Sequence, residues 1–116
     1  MLSAPASSPR WVRWWFRGAA IYGTTALLAS FAAPEVTTLP QLAFTLTALA
    51  FQLVFWIISR DPVRYRPMML AGVFEKAAFG VPALVLARGS TTAIFGAVDL
   101  ILGVGFLLAW RATPQR

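Results

Sequence analysis

Four side chains in this 116-residue sequence place polar or charged chemistry inside otherwise apolar runs: Gln52, Glu75, Lys76 and Asp99. Insertion of an Asp or Lys at the middle of a membrane helix costs about 2.5–3.5 kcal/mol, so such groups face one another or a wet cavity rather than lipid. Two readings follow from that cost. The residues form a buried polar cluster that fixes helix register, or they form an ion, proton or substrate site, with Tyr22 and the threonines of the apolar runs as neighbours. A protonatable Glu75 is the minimal part of a proton-coupled carrier. No nucleophile–base set is visible, so no catalytic residue is assigned. The chain has no cysteine and no histidine. Thiol redox chemistry, Cys/His zinc sites and histidine-ligated haem are thereby excluded, and no cofactor or metal is expected.

The elements that must hold these groups are apolar all round. Hydrophobic residues make up 59% of the chain and charged residues only 12%, with a mean hydropathy of +0.70. A soluble domain carries about 25% charged residues and stripes its helices. The net charge of +6 does not point to nucleic acid, because the arginines flank the apolar runs, which is the pattern of membrane topology and anionic-lipid contact. The expected class is therefore all-α: a transmembrane four-helix bundle with antiparallel up-down connections, preceded by a short interfacial Trp/Arg helix.

Residues 1–9 read as a disordered tail and 10–116 as a single membrane domain, with spans over about 14–33, 40–59, 67–88 and 92–110. Arg10, Arg13 and Arg17 share one helical face, while Trp11, Trp14 and Trp15 take another, an arrangement that suits the headgroup layer. Pro34 and Glu35 end the first span. That segment also fits a cleaved signal peptide, with the small-residue run Ala29 to Ala33 before Pro34; Tyr22, Thr24 and Thr25 count against this reading. Thr37 or Thr38 caps the second span, and Pro40 suits its first turn. Asp61 before Pro62 caps a short turn in RDPVRYRP, Gly89 stops the third span, and Pro82 should kink it.

Arg10, Arg13, Arg17, Arg60, Arg64, Arg66, Arg111 and Arg116 fall on one side, and only Arg88 falls on the other, near Glu35. This bias predicts both termini in the cytoplasm. Trp56 and Trp110 lie at the same boundary, so Arg60, Arg64, Arg66 and Trp110 join the amino-terminal Trp/Arg set as residues expected at the lipid interface, with anionic lipids as partners.

Gly72, Lys76 and Gly80 share a face of the third span, and Gly96, Asp99 and Gly103 share a face of the fourth. Small residues let helices approach closely in lipid. Lys76 lies about 13.5 Å in from Pro67 and Asp99 about 16.5 Å in from Trp110, so the two are expected to pair. Glu75, turned by about 100°, is expected to point toward another span, near the depth of Gln52. Either glycine set could instead serve a homodimer or a larger assembly.

The run DPVRYRPMML, followed by Phe74, Glu75, Lys76, Phe79-Gly80 and later Asp99-Leu100, resembles a family of small, uncharacterised bacterial four-span membrane proteins. The resemblance covers the second half of the chain. It implies a four-helix bundle in a bacterial inner membrane and carries no activity or ligand. The expected role is that of a structural or accessory membrane protein with a buried polar cluster. The alternative is a small proton- or ion-coupled transporter or channel that uses the same cluster.

Overall fold

The structure, a computed structural model, describes residues 7–32 and 38–115. The expectations attached to residues 1–6, to Ala33, Pro34, Glu35 and Thr37, and to Arg116 lie outside the described residues. Four helices account for most of the rest: α1 (Arg10–Ser30), α2 (Leu39–Arg60), α3 (Met68–Leu86) and α4 (Thr91–Ala112). Among the described residues there is no strand.

Helix ends follow local chemistry. The Thr38 hydroxyl accepts from the Gln41 amide at 3.4 Å, and Pro40 sits in the first turn of α2, where no intrahelical N–H partner is needed. Asp61 accepts from the Arg64 amide at 3.4 Å and turns the chain toward α3. Gly89 adopts φ +77°, a backbone state that disfavours any side chain, and Ser90 then caps α4 by accepting from the Ala93 amide at 3.3 Å. Pro82 lies inside α3 without ending it.

The Trp/Arg stretch differs from its expected form. No break separates it from the first apolar segment, and α1 is one helix of 21 residues. Gly18 alone is too weak a breaker, costing about 1 kcal/mol against alanine. Val12, Phe16, Ala19, Ala20 and Gly23, on either side of it, are buried on one continuous stripe. Packing along that stripe carries the helix through.

Three helices, α2, α3 and α4, are long and apolar enough to cross a membrane. The arginines at its start and the polar residues Tyr22, Thr24, Thr25 and Ser30 make α1 less apolar than the others. The packing is uneven: α1 lies chiefly on α2 and α3 chiefly on α4, with thinner seams joining α1 to α4 and α2 to α3. The α3–α4 seam is built on glycine. A Cβ at Gly96 would overlap Ala83, and one at Gly80 would overlap Leu100 and the Gly96 carbonyl. These positions let the two backbones touch.

The core sits toward the arginine-rich ends of the helices. Phe16 of α1 stacks on Phe106 of α4, with centroids 4.2 Å apart and planes at 5°. Phe55 of α2 tilts against Phe106 at 4.8 Å and Phe16 at 6.2 Å. Gly72 of α3 provides the flat wall against which Phe55 and Phe106 rest.

Candidate functional site

Beyond this aromatic core, the middle of the molecule is polar. Lys76 is 2% exposed, and its Nζ lies 3.6 Å from Asp99 Oδ1 and 3.5 Å from Glu75 Oε2. Gly103 makes room for it, since a Cβ there would press on the Lys76 side chain. On the other side the ammonium lies 5.1 Å from the Phe55 ring centroid, a cation–π distance. One buried ammonium is thus held by two carboxylates and an aromatic face. The pairing of Glu75 departs from its expected role. Its side chain does not serve another span alone but bends back to its own neighbour, because a flexible glutamate offsets the turn of the helix at small cost. A bare ammonium at this depth would cost several kcal/mol.

Gln52 approaches from α2. It is 3% exposed, and its Nε2 donates to the Ala48 carbonyl at 2.9 Å, while Oε1 has no hydrogen-bond partner. Its carboxamide rests on Gly23 of α1, where a Cβ would overlap it. Glu75 Oε2 likewise lacks a hydrogen-bond partner. Gln52 Oε1 is therefore a buried acceptor without a donor, and Glu75 Oε2 has only the Lys76 ammonium at 3.5 Å; both residues line one space.

That space is a half-open cavity of about 310 Å³, walled by all four helices. Gln52, Glu75, Lys76 and Asp99 line it at mid-length, with Tyr22 and Thr45 beside them. It extends to Ser30 at the end of α1, Gln41 in the first turn of α2 and Thr92 in the first turn of α4. Its mouth therefore lies away from the arginine-rich ends. Phe44, Phe79 and Phe95 provide apolar wall. Two carboxyl groups around one ammonium suit a cation or a proton better than an anion.

The structure brings together the four residues singled out from sequence. Sequence reasoning missed Gly23 as the seat of Gln52 and missed the mouth residues Ser30, Gln41 and Thr92. Gly23 lies four residues from Ala19 on the buried stripe of α1, a spacing that could have marked it as a contact position. The mouth residues are ordinary helix-end polar residues and carry no signal of their own.

The residues expected at the lipid interface divide in two. Arg10, Trp11, Arg13, Trp14, Arg60 and Arg64 are exposed. The others are used within the chain. Trp15 Nε1 donates to the Leu102 carbonyl at 3.1 Å, and its indole lies flat on Gly105. Arg17 donates to Ser59 Oγ at 3.2 Å between the Trp14 and Trp56 rings. Arg66 donates to the Trp110 and Thr113 carbonyls at 3.0 and 2.8 Å and stacks over Trp110, closing the free carbonyl end of α4.

Comparison with protein-family models, with curated proteins and with solved structures finds no match.

Proposed function

We propose that this chain is a four-span bacterial inner-membrane protein, folded as an antiparallel bundle, that takes up protons or small cations in its central cavity as a small carrier or channel. The observation that carries this reading is the continuity of the cavity from the helix ends at Ser30, Gln41 and Thr92 to the Glu75–Lys76–Asp99 triad. Gln52 Oε1, which has no hydrogen-bond partner, and Glu75, which shares the one Lys76 ammonium with Asp99, give an entering donor or cation something to bind. The arginine bias supports placing both termini in the cytoplasm, so the mouth faces the opposite side. In this reading α1 serves as the fourth span, with Arg10 and Arg13 in the anionic headgroup layer. The sequence resemblance to small bacterial four-span proteins agrees with this architecture.

Because the chain has no cysteine, single-cysteine variants report access directly. Ser30→Cys at the mouth and Ala26→Cys further in should react with a charged, membrane-impermeant thiol reagent from the non-cytoplasmic side, whereas Leu102→Cys in the packed half should not. Pyranine-loaded proteoliposomes should acidify after an external acid pulse, and Glu75→Gln should remove that response. Reaction at Ser30→Cys with none at Ala26→Cys, and no proton entry, would defeat the carrier reading. A carboxy-terminal fluorescent-protein fusion should glow, and a phosphatase fusion there should stay inactive; an active phosphatase would overturn the orientation.

A second reading has its own support. Lys76 is paired on two sides, and glycines bring α3 and α4 into backbone contact. Those features suit a structural or accessory bundle, alone, as a homodimer or within a larger assembly, in which the triad fixes helix register.

A further inference from the structure

Glu75 lines two spaces, not one. Besides the central cavity, it borders a groove of about 550 Å³ on the outer surface between α2 and α3. These two helices touch sparsely. Phe55 meets Gly72 near one end, and Phe44 meets Phe79 at a centroid distance of 5.7 Å nearer the other. The groove lies along the seam and is faced by Phe44, Phe51, Phe74 and Phe79, with Phe74 76% exposed on its rim. Among the described residues, Glu75 is the only charged one on it and Thr47 the only other polar one. Ala78, also on the groove, has a carbonyl that lost its intrahelical donor when Pro82 took the position four residues on. Phe44, Ala48, Glu75 and Phe79 line both spaces, so the two are separated by side chains alone.

We infer that the α2–α3 groove is a lateral window through which an amphiphilic organic cation reaches Glu75 from within the bilayer. The inference rests on reading the central cavity as a cation site and assigns that site a ligand class and a route. Charge complementarity selects the occupant. A lipid acyl chain or an apolar helix from a second copy would press hydrocarbon on the Glu75 carboxylate and offer it no partner beyond the one ammonium that it shares with Asp99, which is costly. A cation bearing aromatic or alkyl bulk satisfies the carboxylate, and phenyl faces attract it further. Its apolar groups replace lipid against Phe51 and Phe74, so the approach requires no passage through water. The groove volume falls within the range of small-molecule sites.

The probe is tetraphenylphosphonium, with tetraphenylborate as its anionic counterpart of the same shape, titrated against purified full-length protein in detergent. Tetraphenylphosphonium should bind saturably, and tetraphenylborate should not. Glu75→Gln should weaken binding at least about tenfold, which is about 1.4 kcal/mol. Ala78→Phe should fill the groove and weaken binding comparably, since Ala78 is exposed and touches the groove but not the central cavity. Gel filtration confirms that each variant is folded, and reaction of Ala26→Cys in the Ala78→Phe background should be unchanged. No saturable binding at millimolar tetraphenylphosphonium, equal binding of the anion, or unchanged affinity in either variant overturns the window. A dimer in the parent protein that Ala78→Phe dissociates, with no cation binding, would assign the groove to a second copy instead. Loss of cation binding effects with intact Ala26→Cys labelling defeats the window alone, whereas loss of the labelling defeats the cavity reading beneath it.

Discussion

The two halves of the bundle solve opposite problems with the same kind of helix. Toward the arginine-rich ends, Phe16, Phe55 and Phe106 stack against the flat face of Gly72, and Trp15 lies on Gly105. Toward the other ends α3 and α4 still touch at Gly80 and Gly96, but the four helices together wall a cavity of about 310 Å³. The same element can serve both. On α3, Gly72 closes the packed half, while Glu75, one turn on, opens into the hollow half. In lipid, helices gain little from hiding apolar surface, so contact depends on shape and polar bonds. Where large rings meet glycines, the seam fills. Where a charged triad must be accommodated, it stays open.

Unfolding in sodium dodecyl sulfate, followed by tryptophan fluorescence, gives a common scale on which to break this contrast. Phe106→Ala should have the largest effect, about 3–5 kcal/mol, because it removes a fully buried ring that touches both Phe16 and Phe55. Loss of less than about 1 kcal/mol would mean that the aromatic cluster is not the stabilising half.

Lys76→Met should follow at about 3 kcal/mol, since it leaves two half-buried carboxylates facing each other without their shared ammonium. Asp99→Leu should cost less, because Glu75 remains as a partner for the ammonium. Adding Asp99→Leu to Lys76→Met should recover part of the loss. Equal costs for the two single changes, with no recovery in the pair, would show that the triad does not act as a unit.

Small-to-large changes sharpen the contrast between filled and hollow. Ala109→Leu in the packed half should cost about 1–3 kcal/mol by overpacking. Ala26→Leu, on the cavity wall, should be tolerated within about 0.5 kcal/mol. At the arginine-rich end, Arg66→Ala should cost about 1–2 kcal/mol through its two carbonyl partners. Arg64→Ala, exposed and without such partners, should change stability by less than about 0.5 kcal/mol. Reversed sizes for Arg64 and Arg66 would undo the division of the interface residues.

Much of this was legible in the sequence because helix ends are written in local chemistry. Thr38, Pro40, Asp61, Gly89 and Ser90 each act where a cap or a stop is needed. The meeting of Lys76 with Asp99 followed from depth along two neighbouring helices. The inward turn of Trp15 and the return of Glu75 to its neighbour were not legible. In helices apolar all round, sequence gives no contrast between a face that meets lipid and one that meets protein. Trp15 faces inward because Gly105, 90 positions away in sequence, leaves it a flat seat. The cavity was hidden for the same reason, since empty space is set by which rings miss one another across helices.

The bond from Trp15 to the Leu102 carbonyl joins residues 87 positions apart. It has a consequence for the order of synthesis. While α4 is still within the ribosome, the indole has neither its carbonyl nor its glycine seat, and Phe16 has no Phe106 to stack on. The α1–α2 pair must therefore wait half-finished, joined by contacts such as that of Arg17 with Ser59, which needs no residue beyond Ser59. α4 completes α1, and a chain arrested after Ser90 should be a ready substrate for quality-control proteases.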